Sequence, residues 1–127
     1  SSDDMKADNQ RRDFWNGDTF NNQAYGNFLG RWGKSLPGAP HDRMDMLGLI
    51  SALKTTIANF NTLPSNKMED VTRFVAESKK KVAEAKKSDD PAIRMMAFRA
   101  ETLIQILEMG LKRGHLTAEE IEASSTP

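Results

Sequence analysis

Residues 91 to 113 read PAIRMMAFRAETLIQILEMGLKR, and their helical pattern decides the fold. Successive residues of an α-helix lie about 100° apart, and this spacing gathers the polar side chains of the stretch into one thin stripe. The stripe consists of Arg94, Glu101, Gln105, Glu108 and Lys112. A helix that is apolar around most of its circumference has packing partners on two or more sides. The stretch therefore predicts the central helix of an all-α bundle.

The apolar part of this helix divides into two faces. The first consists of Ile93, Met96, Ala100, Leu103, Leu107 and Leu111, and the second of Met95, Phe98, Ile106 and Met109. Two neighbouring helices can cover the first face, whereas the second still needs a lid.

Local signals fix the ends of this helix. A Ser-Asp-Asp sequence precedes Pro91, which occupies the first helical position, where its missing N–H costs nothing. Gly114 ends the helix. Thr117 and Glu120 then form a capping box that predicts a short final helix to about position 123.

An earlier helix is predicted over residues 43 to 61, with Asp42 as its cap. One apolar face contains Met46, Leu49, Ile50, Leu53, Ile57 and Phe60, and the opposite, solvent-facing side contains Ser51, Thr55 and Asn59. A further helix to about position 87 follows a loop, with Asn66 and Glu69 as a variant capping box. Its predicted buried residues are Met68, Val71, Val75, Val82 and Ala85.

The N-terminal region differs from the rest of the chain in composition. Residues 14 to 33, FWNGDTFNNQAYGNFLGRWG, contain six of the nine aromatic residues and four glycines. Phe20, Ala24 and Phe28 recur at helical spacing, and Asp18 would cap such a helix. Each interior glycine costs about 1 kcal/mol relative to alanine. We therefore predict only a weak additional helix here.

The 127 residues suit one domain. We expect a polar tail over 1–13, an aromatic arm with a proline linker over 14–41, a helical domain over 42–123 and a tail over 124–127. The predicted fold class is all-α: a bundle of three long helices plus a short C-terminal helix, preceded by the Gly- and aromatic-rich arm.

Charge and composition exclude several classes of function. Lys plus Arg equals Asp plus Glu at 18 each, so no overall field attracts nucleic acid or acidic membranes. The chain has no cysteine, and no apolar stretch approaches the roughly 20 residues of a bilayer span. We expect no membrane span and favour a cytoplasmic over a secreted location, with a removed signal peptide left open.

No motif predicts catalysis. The sequence lacks GxSxG, a P-loop, a dinucleotide fingerprint and an EF-hand loop. His41 and His115 stand beside helix boundaries, with no carboxylate or second histidine at ligand spacing. We therefore predict a protein that is not an enzyme and that uses no cofactor and no metal.

The aromatic arm favours a non-catalytic protein-interaction or assembly subunit. Trp and Tyr are enriched at binding hot spots. The arm either docks on a neighbouring chain, a protein partner or a second copy, or covers its own bundle as a lid. The candidate partner-binding residues are Phe14, Trp15, Phe20, Tyr25, Phe28, Trp32 and Arg99.

Arg99 is the one charge within the second apolar face. In one interpretation, the aliphatic part of its side chain lies on the core and its guanidinium group reaches water. In the other, it forms an ion pair within the fold or across an interface.

The alternative is a nucleic-acid-binding helical module that uses a basic run. The run consists of Lys79, Lys80, Lys81, Lys86 and Lys87. Acidic residues at helical spacing weaken this alternative, because Glu77 precedes Lys81 by four residues and Lys80 precedes Glu84 by four. An internally paired, solvated helix face explains the same residues.

Overall fold

Four α-helices lie within residues 42–125, the longest continuous part of the chain that the structure describes. A computed structural model describes residues 15–16, 19–21, 23–24, 26–27 and 42–125. The helices are α1 (Arg43–Asn59), α2 (Met68–Ala85), α3 (Pro91–Arg113) and α4 (Ala118–Ser125). Two 3-10 turns, Phe60–Thr62 and Ser65–Lys67, connect α1 to α2. The predicted all-α bundle of three long helices and a short C-terminal helix is confirmed.

Helix α3 is the centre of the bundle. It packs against α1, α2 and α4, and α4 also packs against α1. The Arg43–Asp90 ion pair places the start of α1 beside the start of α3. The Lys79–Glu108 pair places the middle of α2 beside the last turns of α3, so α2 runs antiparallel to α3. The three long helices therefore run up, down and up.

Capping residues predicted from the sequence set three helix ends. The backbone N–H of Asp45 donates to Asp42 Oδ1 at 2.9 Å, which caps α1. Gly114 ends α3 with a φ of 93°, a backbone conformation that glycine adopts without strain. The Thr117 N–H donates to Glu120 Oε1 and the Glu120 N–H donates to Thr117 Oγ1, the predicted capping box.

The start of α2 differs from the prediction. Its N-cap is Lys67, and the Lys67 side chain makes no capping hydrogen bond. The capping box proposed for Asn66 and Glu69 is therefore wrong at this end. The physical reason is that the 3-10 turn Ser65–Lys67 leads directly into the helix, with Lys67 itself near helical dihedral angles.

The solvent-facing side predicted for α1 is also partly wrong. Ser51 is exposed, but Thr55 and Asn59 are buried. Thr55 Oγ1 donates to the Ser51 carbonyl at 2.9 Å, and Asn59 Nδ2 donates to the Thr55 carbonyl at 2.8 Å. These bonds satisfy the polar groups within α1, so the side chains can lie inside the protein at low cost.

The N-terminal arm contains an antiparallel strand pair that the sequence analysis missed. Strand β1 (Trp15–Asn16) pairs with β2 (Thr19–Phe20), with Trp15 opposite Phe20. A helix that begins at Asp18 is therefore wrong, because the next residues belong to β2. Residues 23–24 and 26–27 are helical, and Asn21 Oδ1 accepts the Ala24 N–H at 3.0 Å.

Gly110 allows close packing around the C-terminal end of α3. A Cβ atom at this position would lie 2.8 Å from Leu116 Cδ2 and 3.0 Å from Phe60 Cζ. Both neighbouring side chains are buried. Asn61 holds Leu116 in place, because its amide donates to the Leu116 carbonyl at 2.8 Å and accepts the Leu116 N–H at 2.7 Å. Neither neighbour can therefore move aside easily.

We predict that Gly110→Ala destabilises the protein by about 1–3 kcal/mol, because the overpacked methyl outweighs the gain in helix propensity. The matched control is Gly48→Ala in α1, where a Cβ meets nothing within 4 Å. It should stabilise the protein by about 0.5–1 kcal/mol. Urea unfolding of both variants measures the two effects. Equal changes in the two variants would show that Gly110 has no packing role.

Asp90 joins the starts of α1 and α3. Its carboxylate accepts Arg43 Nε at 2.8 Å and Nη2 at 3.2 Å, and it also accepts the Ala92 N–H at 2.9 Å as the N-cap of α3. The hydrogen bond from Arg43, followed by that from Ala92, lowers the pKa of Asp90 below its ordinary value. A lowered folded-state pKa stabilises the fold at neutral pH, and this stabilisation is lost as the pH falls through that pKa.

We predict that Asp90→Asn lowers the Tm at neutral pH, because asparagine keeps a capping oxygen but loses the charge that holds Arg43. The difference from wild type should shrink as the pH falls through the lowered pKa of Asp90, because the wild-type carboxylate then becomes protonated. Thermal unfolding over a series of pH values measures this. Asp89→Asn, outside this network, is the control, and a Tm difference that is independent of pH would contradict the assignment.

Candidate protein-interaction surface

Within the part of the chain that the structure describes, no helix covers one side of α3. Met95 is 74% exposed, Phe98 58% and Met109 44%. Thr102 is exposed between them, and Ile106 lies at the buried edge of the row. We name this row the α3 face and define it as Met95, Phe98, Thr102, Ile106 and Met109.

Helical periodicity explains why these residues share one side. At about 100° per residue, the row lies opposite the fully buried Ala97, Ala100 and Leu107. The sequence analysis expected the second apolar face of this helix to need a lid. The structure leaves three of its four residues exposed, whereas Ile106 is buried.

Charged side chains of α2 border the α3 face. Lys86 Nζ lies 5.3 Å from the centroid of the Phe98 ring, within the range of a cation–π interaction. The same ammonium pairs with Glu101 of α3. Two turns of α2 earlier, Lys79 pairs with Glu108 at 3.0 Å. The apolar row therefore has a polar, ion-paired rim on this side.

The exposed lysines of the basic run all have carboxylate partners. Besides the two pairs with α3, Lys80 pairs with Glu77 at 3.4 Å and Lys87 with Glu84 at 3.7 Å. Exposed pairs of this kind add little stability individually. They do reduce the positive potential that a nucleic acid would meet, as expected for an internally paired helix face.

Lys81 differs from the other lysines, because it is only 6% exposed. Burial lowers its pKa, and the nearby carboxylates of Glu77 and Asp45 oppose this shift. Its placement on a solvated basic surface is therefore wrong. The missed signal was its spacing after Phe74 and Ser78, two buried residues on the same side of α2.

Arg99 connects α3 to the end of α4. It is half-buried, and its Nη2 donates to the Ser124 carbonyl at 3.0 Å. A cation near a helix C-terminus satisfies one of the last carbonyls and interacts favourably with the helix dipole. This bond gives Arg99 a role within the fold.

The predicted arm residues are only partly described. Phe14, Tyr25, Phe28 and Trp32 lie outside the described residues, and for Trp15 and Phe20 the backbone pairing of β1 and β2 is described. Ala24 is half-buried and packs against the hydrophobic core of the bundle. Part of the arm therefore lies against its own chain.

A second, smaller exposed apolar group lies on α1. Met44 is 72% exposed and Leu47 is also exposed. Met44 borders an open groove of about 600 Å³, whose lining residues are Asp42, Arg43, Met44, Ser88, Asp89, Asp90 and Ile93. The charges of Arg43 and Asp90 satisfy each other within this groove. It therefore offers few free polar groups to a ligand.

Metal and membrane sites receive no support from the part of the chain that the structure describes. That part contains no group of three or more His, Asp or Glu side chains suited to hold a metal ion. None of its helices combines the length and hydropathy that crossing a bilayer requires.

Comparison with known proteins gives no match to a family model, a curated protein or a solved structure.

Proposed function

We propose that this protein is a non-catalytic interaction or assembly subunit that binds a protein partner through the α3 face. The observation that carries the proposal is the row of exposed Met95, Phe98 and Met109 on one side of one helix. Single exposed apolar residues are normal on protein surfaces. A contiguous apolar group with a polar rim is typical of a binding site.

The composition of the row supports protein binding. Phe and Met are enriched in the cores of protein interfaces, whereas charged residues are depleted there. The five members of the row are themselves uncharged and extend over about 21 Å, the distance from Met95 to Met109 at 1.5 Å per residue, with Arg99 at the edge of the row beside Ile106. The pairs Lys86–Glu101 and Lys79–Glu108 provide the polar rim.

The rigidity of α3 also supports the proposal. Ala100 and Leu107 on its opposite side are fully buried, and Asp90 and Gly114 cap its two ends. A partner therefore meets a surface that is already formed, which reduces the entropy lost on binding.

For the N-terminal arm we propose that it covers part of the core of its own bundle and leaves the α3 face open. The support is Ala24, which packs against the core of its own bundle. In the alternative, arm aromatics such as Trp32 dock on a neighbouring chain. The two roles predict different effects of deleting the arm.

The same observations favour protein binding over nucleic-acid binding. Lys79, Lys80, Lys86 and Lys87 are each paired with a carboxylate, and Lys81 is buried. The alternative therefore gains no support from the charges of α2.

We predict that a partner protects Met95 and Met109 from oxidation by peroxide in native cell extract. The matched control is Met44, which is as exposed as Met95 but lies on α1. In dilute purified protein, Met95 and Met44 should oxidise at similar rates. In native extract, Met95 should oxidise at least about tenfold more slowly than Met44, because partner contacts exclude the reagent. Mass spectrometry of the tryptic peptides measures both rates. Equal rates in extract would contradict the proposed function.

We predict that deletion of residues 1–33 lowers the Tm while the bundle stays helical, because the Ala24 contact with the core is lost. Thermal unfolding by circular dichroism measures the change. Partner protection of Met95 should persist in the deletion variant. An unchanged Tm together with a loss of this protection would assign the arm to partner docking.

A further inference from the structure

We propose that the bundle opens along the seam between α1 and α2 while both helices stay packed on α3. Helices α1 and α2 each pack closely against α3, whereas their backbones come close to each other at far fewer points. Polar side chains are also buried where α1 meets α2. We define the seam by these residues, Thr55 and Asn59 of α1 and Ser78 and Lys81 of α2.

Two rows of residues face each other across the seam. Residues seven apart lie on the same side of an α-helix. On α1 the row consists of Asp45, Ala52 and Asn59, and on α2 it consists of Phe74 and Lys81. Asp45 lies close enough to Lys81 for its carboxylate to raise the pKa of the lysine. Since the two helices run antiparallel, Ala52 then lies opposite Phe74, so one large side chain spans the gap to a small one.

The polar groups of the seam make hydrogen bonds within their own helices. The Thr55 hydroxyl donates to the Ser51 carbonyl at 2.9 Å, and the Asn59 amide donates to the Thr55 carbonyl at 2.8 Å. On α2, the Ser78 hydroxyl donates to the Phe74 carbonyl at 2.7 Å. These three bonds remain when α1 and α2 move apart. Exposure of hydroxyl and amide groups to water also costs less than exposure of apolar side chains.

Lys81 favours the open form. Its side chain is only 6% exposed, and removal of an ammonium group from water is costly. Burial lowers the pKa of Lys81, although the carboxylates of Glu77 and Asp45 act in the opposite direction. The loss of hydration therefore outweighs the attraction of the two carboxylates. Opening of the seam returns the ammonium group to water.

The contacts with α3 resist separation, because they are apolar. Met46, Leu53 and Ile57 of α1 are fully buried, and Val75 and Val82 of α2 belong to the same hydrophobic core. Separation of either helix from α3 would expose these side chains to water. Opening therefore stops at the seam, as a local event that leaves the rest of the bundle folded.

Engineered cysteines test the opening, because the chain contains no cysteine. The thiol of full-length Ser78→Cys should react with iodoacetamide at least about tenfold faster than the global unfolding of the same variant allows. Its rate should depend only weakly on urea, because opening the seam exposes little surface. Thr55→Cys, on the other side of the seam, should behave in the same way.

The matched control is Ala97→Cys in α3. Ala97 is as fully buried as Ser78 and lies one turn before Glu101, which pairs with Lys86 of α2. It therefore lies at a contact that persists in the open form, and its thiol should react only through global unfolding, with the full urea dependence. Urea unfolding of each variant gives its own reference, so a difference in stability between the variants does not affect the comparison.

Lys81→Met tests the role of the buried ammonium group. Methionine fills similar space without a charge, so it should slow the reaction of Ser78→Cys at least about tenfold. The control is Lys80→Met at the neighbouring position, whose side chain is exposed, and it should leave the rate unchanged. Circular dichroism shows that each variant is folded.

Reaction of Ser78→Cys only through global unfolding would overturn the proposed opening. Equally fast reaction of Ala97→Cys would overturn its restriction to the seam, because α3 would then separate as well. An unchanged rate after Lys81→Met would overturn the role of the ammonium group. Oxidation of Met95 in native extract tests the proposed function separately, because the α3 face is unaffected by the seam variants.

Discussion

The burial of α3 on three sides is the constraint on which the other elements depend. Helix α3 packs against α1, α2 and α4, and its Leu103 and Leu107 are fully buried. Burial of each such side chain stabilises the fold by about 1.5–3 kcal/mol. The hydrogen bonds from Arg43 to Asp90 and from Arg99 to the Ser124 carbonyl link α1 and the end of α4 to α3.

Local signals predicted most of the fold, whereas burial of polar residues depended on tertiary contacts. Helix caps form between residues within one turn of each other, so the local sequence determines them. This holds for Asp42, Gly114 and the Thr117–Glu120 capping box. The burial of Lys81 and Asn59 depends on which helix packs beside them. From the sequence alone, a charged or amide side chain is expected to be exposed. Only the position of the neighbouring helix shows that it is buried.

The candidate site was also predicted only in part, again because burial depends on tertiary contacts. The periodicity of α3 identified Met95, Phe98 and Met109 as apolar residues that two neighbours would leave uncovered. It could not show that Ile106 is buried, because that depends on packing at the edge of the bundle. The functional proposal follows from the same geometry. A helix packed by neighbours on its other sides presents the α3 face as a surface that is already formed, which is the basis of the proposed binding role.

The central claim is that α3 is buried where it packs against α1, α2 and α4 and is open to solvent along the α3 face. Methyl NMR of dilute protein with a soluble gadolinium chelate tests this claim most directly, because the chelate broadens only signals that solvent can reach. The account predicts strong broadening of the Met95 and Met109 methyl signals and none for Leu103 and Leu107. Broadening of Leu103 and Leu107 as strong as that of Met95, or none at Met95 and Met109, would contradict it.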